Sequence, residues 1–316
     1  MQELIDINSY PVTTTMNLLL EDKTTKENII WATDSYEALG PEYSGERQIR
    51  REQILGDEHK DIIQPRICKA VEEQQNRTHK KGEVFTPAWL CCRMNNDCDE
   101  AWFEKPDVFN ALSGTEWKVT DGKIGFSDYM AWKKYVDSRR LEITCGEAPY
   151  IVSRYDTSTG ELIVPPLRRI GMLDRKLRVV NENTDDETEW LRWTVRAFQS
   201  VYGYEFQGDS LLIARINVLL TFIDYLKERW NREAAKKELL KIANIISWNF
   251  WQMDGLSGTV PYKKNFEQER NLGGRLFDVS ESGIEEDEAV LCRPCRIYDW
   301  RKENSISFTS LRGAWQ

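Results

Sequence analysis

The 316 residues contain no apolar run near the roughly 20 that a membrane-spanning helix needs. Histidine is scarce: His59 and His79 are the only two. Basic charge is not in excess, since the formal net charge is −9. A free-standing DNA-binding domain is usually basic, because neutralising phosphates dominates its affinity. The chain is therefore a poor candidate for gripping DNA by itself. The opening Met1-Gln-Glu-Leu-Ile-Asp-Ile lacks the basic-then-apolar pattern of a signal peptide, so the expected location is the cytoplasm. The seven cysteines are odd in number and include the adjacent Cys91 and Cys92, which argues for reduced thiols. Cys292-Arg-Pro-Cys295 is half of a zinc-ribbon spacing without a second pair, and no metal site is expected. No internal repeat is present.

What is there is a globular composition, 41% hydrophobic, enough for one large or two modest domains. Twelve tryptophans suit a core and also a large interface with a partner. Residues 1–80 read as an irregular and helical N-terminal segment. Within it Ile63, Ile67, Ala70 and Val71 lie at helical spacing. Residues 81–316 read as the main domain, with a mobile loop at about 263–290. Thr86 and Pro87 offer an N-cap and first residue for a helix over 88–96. Residues 101–136 read as a small β excursion and a short helix. Tyr150 to Tyr155 is expected to open a helix, and 170–180 is a helix or an extended piece. Helices are predicted over 186–200 and 238–245. The longest starts at Asp209 as its cap and carries Leu212, Ile216, Leu219, Leu220, Ile223, Leu226 and Trp230 as a stripe. Short β-prone runs alternate with these helices, which points to a doubly wound α/β sheet.

Three β-prone runs end in acids: Glu142 before the turn Cys145-Gly-Glu-Ala148, then Glu205, then Asp254. Ligands of open α/β sheets sit at the carboxyl ends of strands. Each acid alone reads equally as an ordinary strand-end carboxylate, and the single glycine of the turn as an ordinary β–α connection. Taken in order, they suit an adenosyl ligand. Glu205 would accept from a ribose diol, Asp254 from the adenine amino group, and Phe85-Thr86-Pro87 would cover an amino-acid tail. Cys295 to Trp300 is the last strand candidate.

Beyond this, the chain resembles the N6-adenine DNA methyltransferases of bacterial restriction–modification systems over roughly residues 60–300. Gly82-Glu-Val-Phe-Thr-Pro87 is similar to that family's lid motif, and Glu142-Ile-Thr-Cys-Gly-Glu-Ala-Pro-Tyr150 to its Asp-Pro-x-Cys-Gly-x-Gly-x-Phe motif. Tyr204-Glu-Phe206, with the helix that follows, resembles its acidic strand end, and Asn249 to Leu256 the motif that brings an acid to the adenine. Cys295 to Arg301 looks like the segment preceding the catalytic strand. The resemblance implies a Rossmann-like, incomplete methyltransferase sheet that binds S-adenosylmethionine. It also implies Phe85, Thr86, Pro87, Glu142, Cys145, Gly146, Glu205, Phe206, Asp254 and Leu256 as cofactor contacts. Two departures stand out in the turn: Glu142 replaces an aspartate, and Ala148 replaces a glycine, where a positive φ would strain it.

The family's catalytic Asn/Asp-Pro-Pro-Tyr/Phe does not occur, and Pro165-Pro166 lies between Val164 and Leu167. No catalytic residue is therefore assigned. The expected function is the cofactor-binding subunit of a split methyltransferase. A second polypeptide would carry the Asn-Pro-Pro-Tyr motif and the DNA contacts, and would meet this chain at an open sheet edge. The alternative is an inactive methyltransferase fold kept as an interaction or regulatory module, for example in phage–host conflict.

Overall fold

The computed structural model describes residues 4–56, 58–59, 61–69, 86–262 and 293–315. Phe85, Ala70, Val71, Cys292 and the expected loop at 263–290 lie outside them. The architecture is mixed α/β. Among the described residues the α-helices are α1 (Val12–Leu20), α2 (Arg51–Ile54), α3 (Ala88–Phe103), α4 (Ala131–Asp137), α5 (Met172–Asn183), α6 (Glu187–Phe198), α7 (Gly208–Trp230) and α8 (Lys236–Asn249). The strands are β1 (Asn110–Ser113), β2 (Glu116–Val119), β3 (Arg140–Glu142), β4 (Val201–Glu205), β5 (Phe250–Gln252), β6 (Arg296–Asp299) and β7 (Asn304–Ser307).

Three sheets form among the described residues. A parallel sheet runs β3-β4-β5, and β1–β2 and β6–β7 are separate antiparallel pairs. In the parallel sheet Leu141 faces Tyr202 and Tyr204 faces Trp251. Helices α5 and α6 connect β3 to β4, and α7 and α8 connect β4 to β5. Crossovers of this length are what parallel neighbours require.

Helix α7 is the centre of the molecule. The expected Leu212, Ile216, Leu219 and Leu226 are buried, but so are Leu211, Ile213, Val218, Phe222 and Tyr225. One stripe underestimates a helix that packs against α1, α5, α8, β4 and β5 together. Its end is marked by Asn231 at φ 49°, a left-handed cap that asparagine tolerates. Its start differs from expectation. The helix begins at Gly208, and the Asp209 carboxylate turns to the Tyr36 hydroxyl (2.7 Å) and the Lys69 ammonium (3.5 Å). Gly208 itself is pressed against the 30–31 backbone, where the Trp31 carbonyl accepts its amide at 2.9 Å.

The N-terminal lead shares this core. Ile5, Ile7, Val12, Met16 and Leu19 belong to the same apolar cluster as Leu219 and Ile246. Buried Arg215 on α7 ties α1 to the sheet, donating to the Leu19 and Glu21 carbonyls and to Phe250 O of β5. Of the amphipathic helix expected over Ile63, Ile67, Ala70 and Val71, the described residues show a 3-10 turn at Arg66–Cys68 directly after Pro65, whose ring disfavours a helical residue before it.

The helix expected at Tyr150 is also absent. Ile151 and Val152 bend through a turn, their amides bound to the Ala148 carbonyl at 3.1 and 2.9 Å. The Tyr150 and Ile151 carbonyls instead accept the Met172 and Leu173 amides at the start of α5. The next α-helix after β3 therefore starts only at Met172. Helix α8 extends to Asn249, so only Phe250–Gln252 of the run from Ile246 is extended.

Candidate functional site

The carboxyl ends of β3 and β4 open into a cavity of about 820 Å³. That size suits a small organic ligand. One wall is the turn 143–147 after β3, and another is Glu205, Phe206 and Gln207 after β4. Ala32 to Asp34 and Arg66 come from the N-terminal lead, and Thr86, Glu142, Tyr150, Thr157 and Tyr262 are also in the lining.

The two strand ends are bound to each other. Cys145 N donates to Tyr204 O at 2.8 Å, and Gly146 N donates to Glu205 Oε2 at 2.8 Å. Glu205 Oε1 also accepts from the Phe206 and Gln207 amides at 2.9 and 3.2 Å. Backbone amides thus hold this carboxylate in one place, at the mouth of the turn.

The turn itself is tightly coiled. Thr144, Gly146 and Ala148 have φ of 46°, 52° and 64°. Ala148 therefore takes the left-handed conformation that favours glycine, as expected, at a cost of about 1–2 kcal/mol. It is fully buried, and its amide is bound to the Cys145 carbonyl at 2.7 Å, so surrounding packing holds it there.

The cavity floor is acidic. Glu142 accepts the Tyr150 amide on Oε1 at 3.4 Å, while among the described residues Oε2 has no hydrogen-bond partner. Burial pushes its carboxyl well above the usual range, with repulsion from Glu205 adding to the shift. Glu147, half-buried in the same turn, accepts from Arg66 N and the Tyr155 hydroxyl, both at 2.6 Å. Burial raises its pKa as well, although those two hydrogen bonds oppose the shift. The pKa of the Cys145 thiol is raised well above its ordinary value by burial and by Glu142 and Glu205, which favours the neutral thiol over the thiolate. On the rim, Phe206 and Tyr262 meet edge to face with centroids 5.7 Å apart.

Of the predicted contacts, Thr86, Glu142, Cys145, Gly146, Glu205 and Phe206 line this cavity. Phe85 lies outside the described residues. Pro87 does not line it. It occupies the N-cap position of α3 in place of Thr86, and the Ala88 amide at the helix start donates to Asp156 Oδ2 at 2.9 Å. Asp254 and Leu256 do not line it either. Asp254 Oδ1 accepts the Leu256 and Ser257 amides of its own turn, and Leu256 is 92% exposed. A strand-end acid followed by Gly255 closes its own Asx turn more readily than it reaches a ligand. Sequence reasoning missed Asp34, Arg66, Glu147 and Tyr262. Glu147 stood inside the motif already under consideration; the others come from irregular segments with no local signal.

Compared with known proteins, the chain matches no family model, no curated protein and no solved structure. The chemistry of the cavity must therefore be read from the cavity itself. It offers a fixed carboxylate acceptor, a second buried carboxyl with an unused oxygen, coiled backbone and an aromatic rim. That set suits a ligand with hydrogen-bond donors and a flat ring. Among the described residues no helix is long and apolar enough to cross a membrane.

Proposed function

We propose that the chain binds S-adenosylmethionine and serves as the cofactor-binding subunit of an N6-adenine DNA methyltransferase. A partner polypeptide would supply the Asn-Pro-Pro-Tyr motif and the DNA contacts. The observation that carries this reading is the junction of Gly146 N with Glu205 Oε2 at the carboxyl ends of adjacent parallel strands. The order of β3, β4 and β5 in the sheet supports a Rossmann-like arrangement, because the three motif-bearing strands are neighbours in motif order.

In this reading Glu205 accepts from the ribose hydroxyls, and Phe206 with Tyr262 flanks the adenine. Methyl transfer is direct attack by the adenine N6 on the methyl group, so the chain contributes orientation and no acid or base. Association with a partner is supported by the sheet edge. Among the described residues β3 pairs only with β4, and Leu141 and Ile143 are exposed along it.

Equilibrium dialysis against methyl-labelled S-adenosylmethionine tests the reading. Wild-type protein should retain label stoichiometrically, and Glu205→Ala should weaken retention by about 100-fold, the loss of a charge-assisted hydroxyl acceptor. Retention unchanged by Glu205→Ala would refute the assignment of the ribose site. The second reading, a non-catalytic interaction module, is favoured by the missing Asn/Asp-Pro-Pro-Tyr/Phe tetrapeptide. It predicts no retention of label by the wild-type chain at millimolar ligand.

A further inference from the structure

A second concavity, about 890 Å³, lies between α4, α6 and α8 and shares no lining residue with the first. Its floor is apolar: Leu191, Trp193 and Val195 of α6, Phe222 of α7 and Ile242 of α8. Its rim is basic in a chain whose net charge is −9. Lys133, Arg192, Arg196, Lys237 and Lys241 line it, against one carboxylate, Glu238.

That carboxylate is already neutralised. Arg232 grips both its oxygens at 2.9 and 2.8 Å and lowers its pKa. Arg196 is paired with Asp137 at 2.5 Å and Arg192 with Glu189 at 3.1 Å. Lys133, Lys237 and Lys241 have no ion pair among the described residues. Lys237 and Lys241 are exposed and one helical turn apart on α8. Lys133 sits 5.4 Å over the Trp193 ring, whose enclosed Nε1 has no hydrogen-bond partner among the described residues.

We propose that this groove docks an acidic amphipathic helix of a partner polypeptide. The 12 residues of α6 and 14 of α8 make walls of roughly 18 and 21 Å, long enough for three to four turns of a third helix. An apolar seam between unpaired lysines selects a helix with apolar residues at i, i+3, i+4 and i+7 and acids flanking them. A polyanion surface such as DNA or an anionic membrane would extend beyond the groove onto an acidic protein and be repelled. A short acidic helix confined to the groove meets only the basic rim.

The test uses the full chain and a synthetic peptide of about 18 residues, helical, with a leucine seam and glutamate flanks. Its control carries lysine flanks. Binding is read by tryptophan fluorescence, and location by hydrogen exchange in α6 and α8. The acidic peptide should bind saturably, protect both helices and exceed the lysine control by at least about tenfold. Lys237→Glu with Lys241→Glu should lower its affinity at least about tenfold while leaving the melting temperature and S-adenosylmethionine retention unchanged. No binding, equal affinity for the two peptides, or indifference to the double substitution overturns the proposal. So does protection of the groove by a DNA duplex or by phosphatidylserine vesicles in preference to the acidic peptide.

Discussion

Replacing Ala148 by glycine separates two opposing effects in the turn after β3. At φ 64° the alanine carries left-handed strain, and removing Cβ relieves about 1–2 kcal/mol. The same change deletes a methyl group that is fully buried, worth about 0.8 kcal/mol. It also frees the unfolded chain by about 0.4–1 kcal/mol. The terms nearly cancel, so Ala148→Gly should lie within about 1 kcal/mol of wild type, a melting shift under about 4 °C. Ala148→Val faces no such balance. It puts a β-branched side chain in the left-handed region and two extra methyls into a filled site, and should cost about 2–4 kcal/mol. Urea and thermal denaturation of the three proteins measure both values. Stabilisation by glycine beyond about 2 kcal/mol would mean that packing does not offset the strain. A tolerated valine would mean that the buried left-handed turn is wrong.

Three further outcomes follow from buried groups. Burial raises Asp174 from 3.8 to about 6, so the native state holds its proton where the unfolded chain has released it. Its contribution is complete below about pH 4 and declines as pH rises to about 6, by about 3 kcal/mol in all. Asp174→Asn should remove that slope in a pH series of urea melts, and an unchanged slope would refute it. A Cβ on Gly208 would sit 1.9 Å from the Ile30 carbonyl oxygen, so Gly208→Ala should cost at least about 3 kcal/mol or abolish soluble expression. Arg215→Met strands the Leu19, Glu21 and Phe250 carbonyls and should cost about 3–5 kcal/mol, read by denaturation.

Much of the frame was legible in the chain. Alternation of apolar runs with helical stretches led to β3, β4, β5 and the helices between them, because each buries a local pattern. Turn chemistry was legible in part. Ala148 was expected at a positive φ and has one, whereas Asp209 was expected to cap α7 and bonds Tyr36 and Lys69 instead. The Ala88 amide that opens α3 donates to Asp156, 68 positions away in sequence, which no local spacing reveals. The same limit applies to the cavity. Glu142, Cys145, Gly146 and Glu205 converge as their strand ends suggested. Asp34 and Arg66 arrive through long-range packing of irregular segments. Asp254 failed as a cavity residue because its own turn offers two amides at closer reach than any ligand.

Crystals of the chain grown with S-adenosylhomocysteine test the central claim most directly. The ligand should lie between the 143–147 turn and Phe206, with its ribose hydroxyls within about 3 Å of the Glu205 carboxylate. A saturated crystal with that cavity empty, or with the ligand bound elsewhere, would contradict the account.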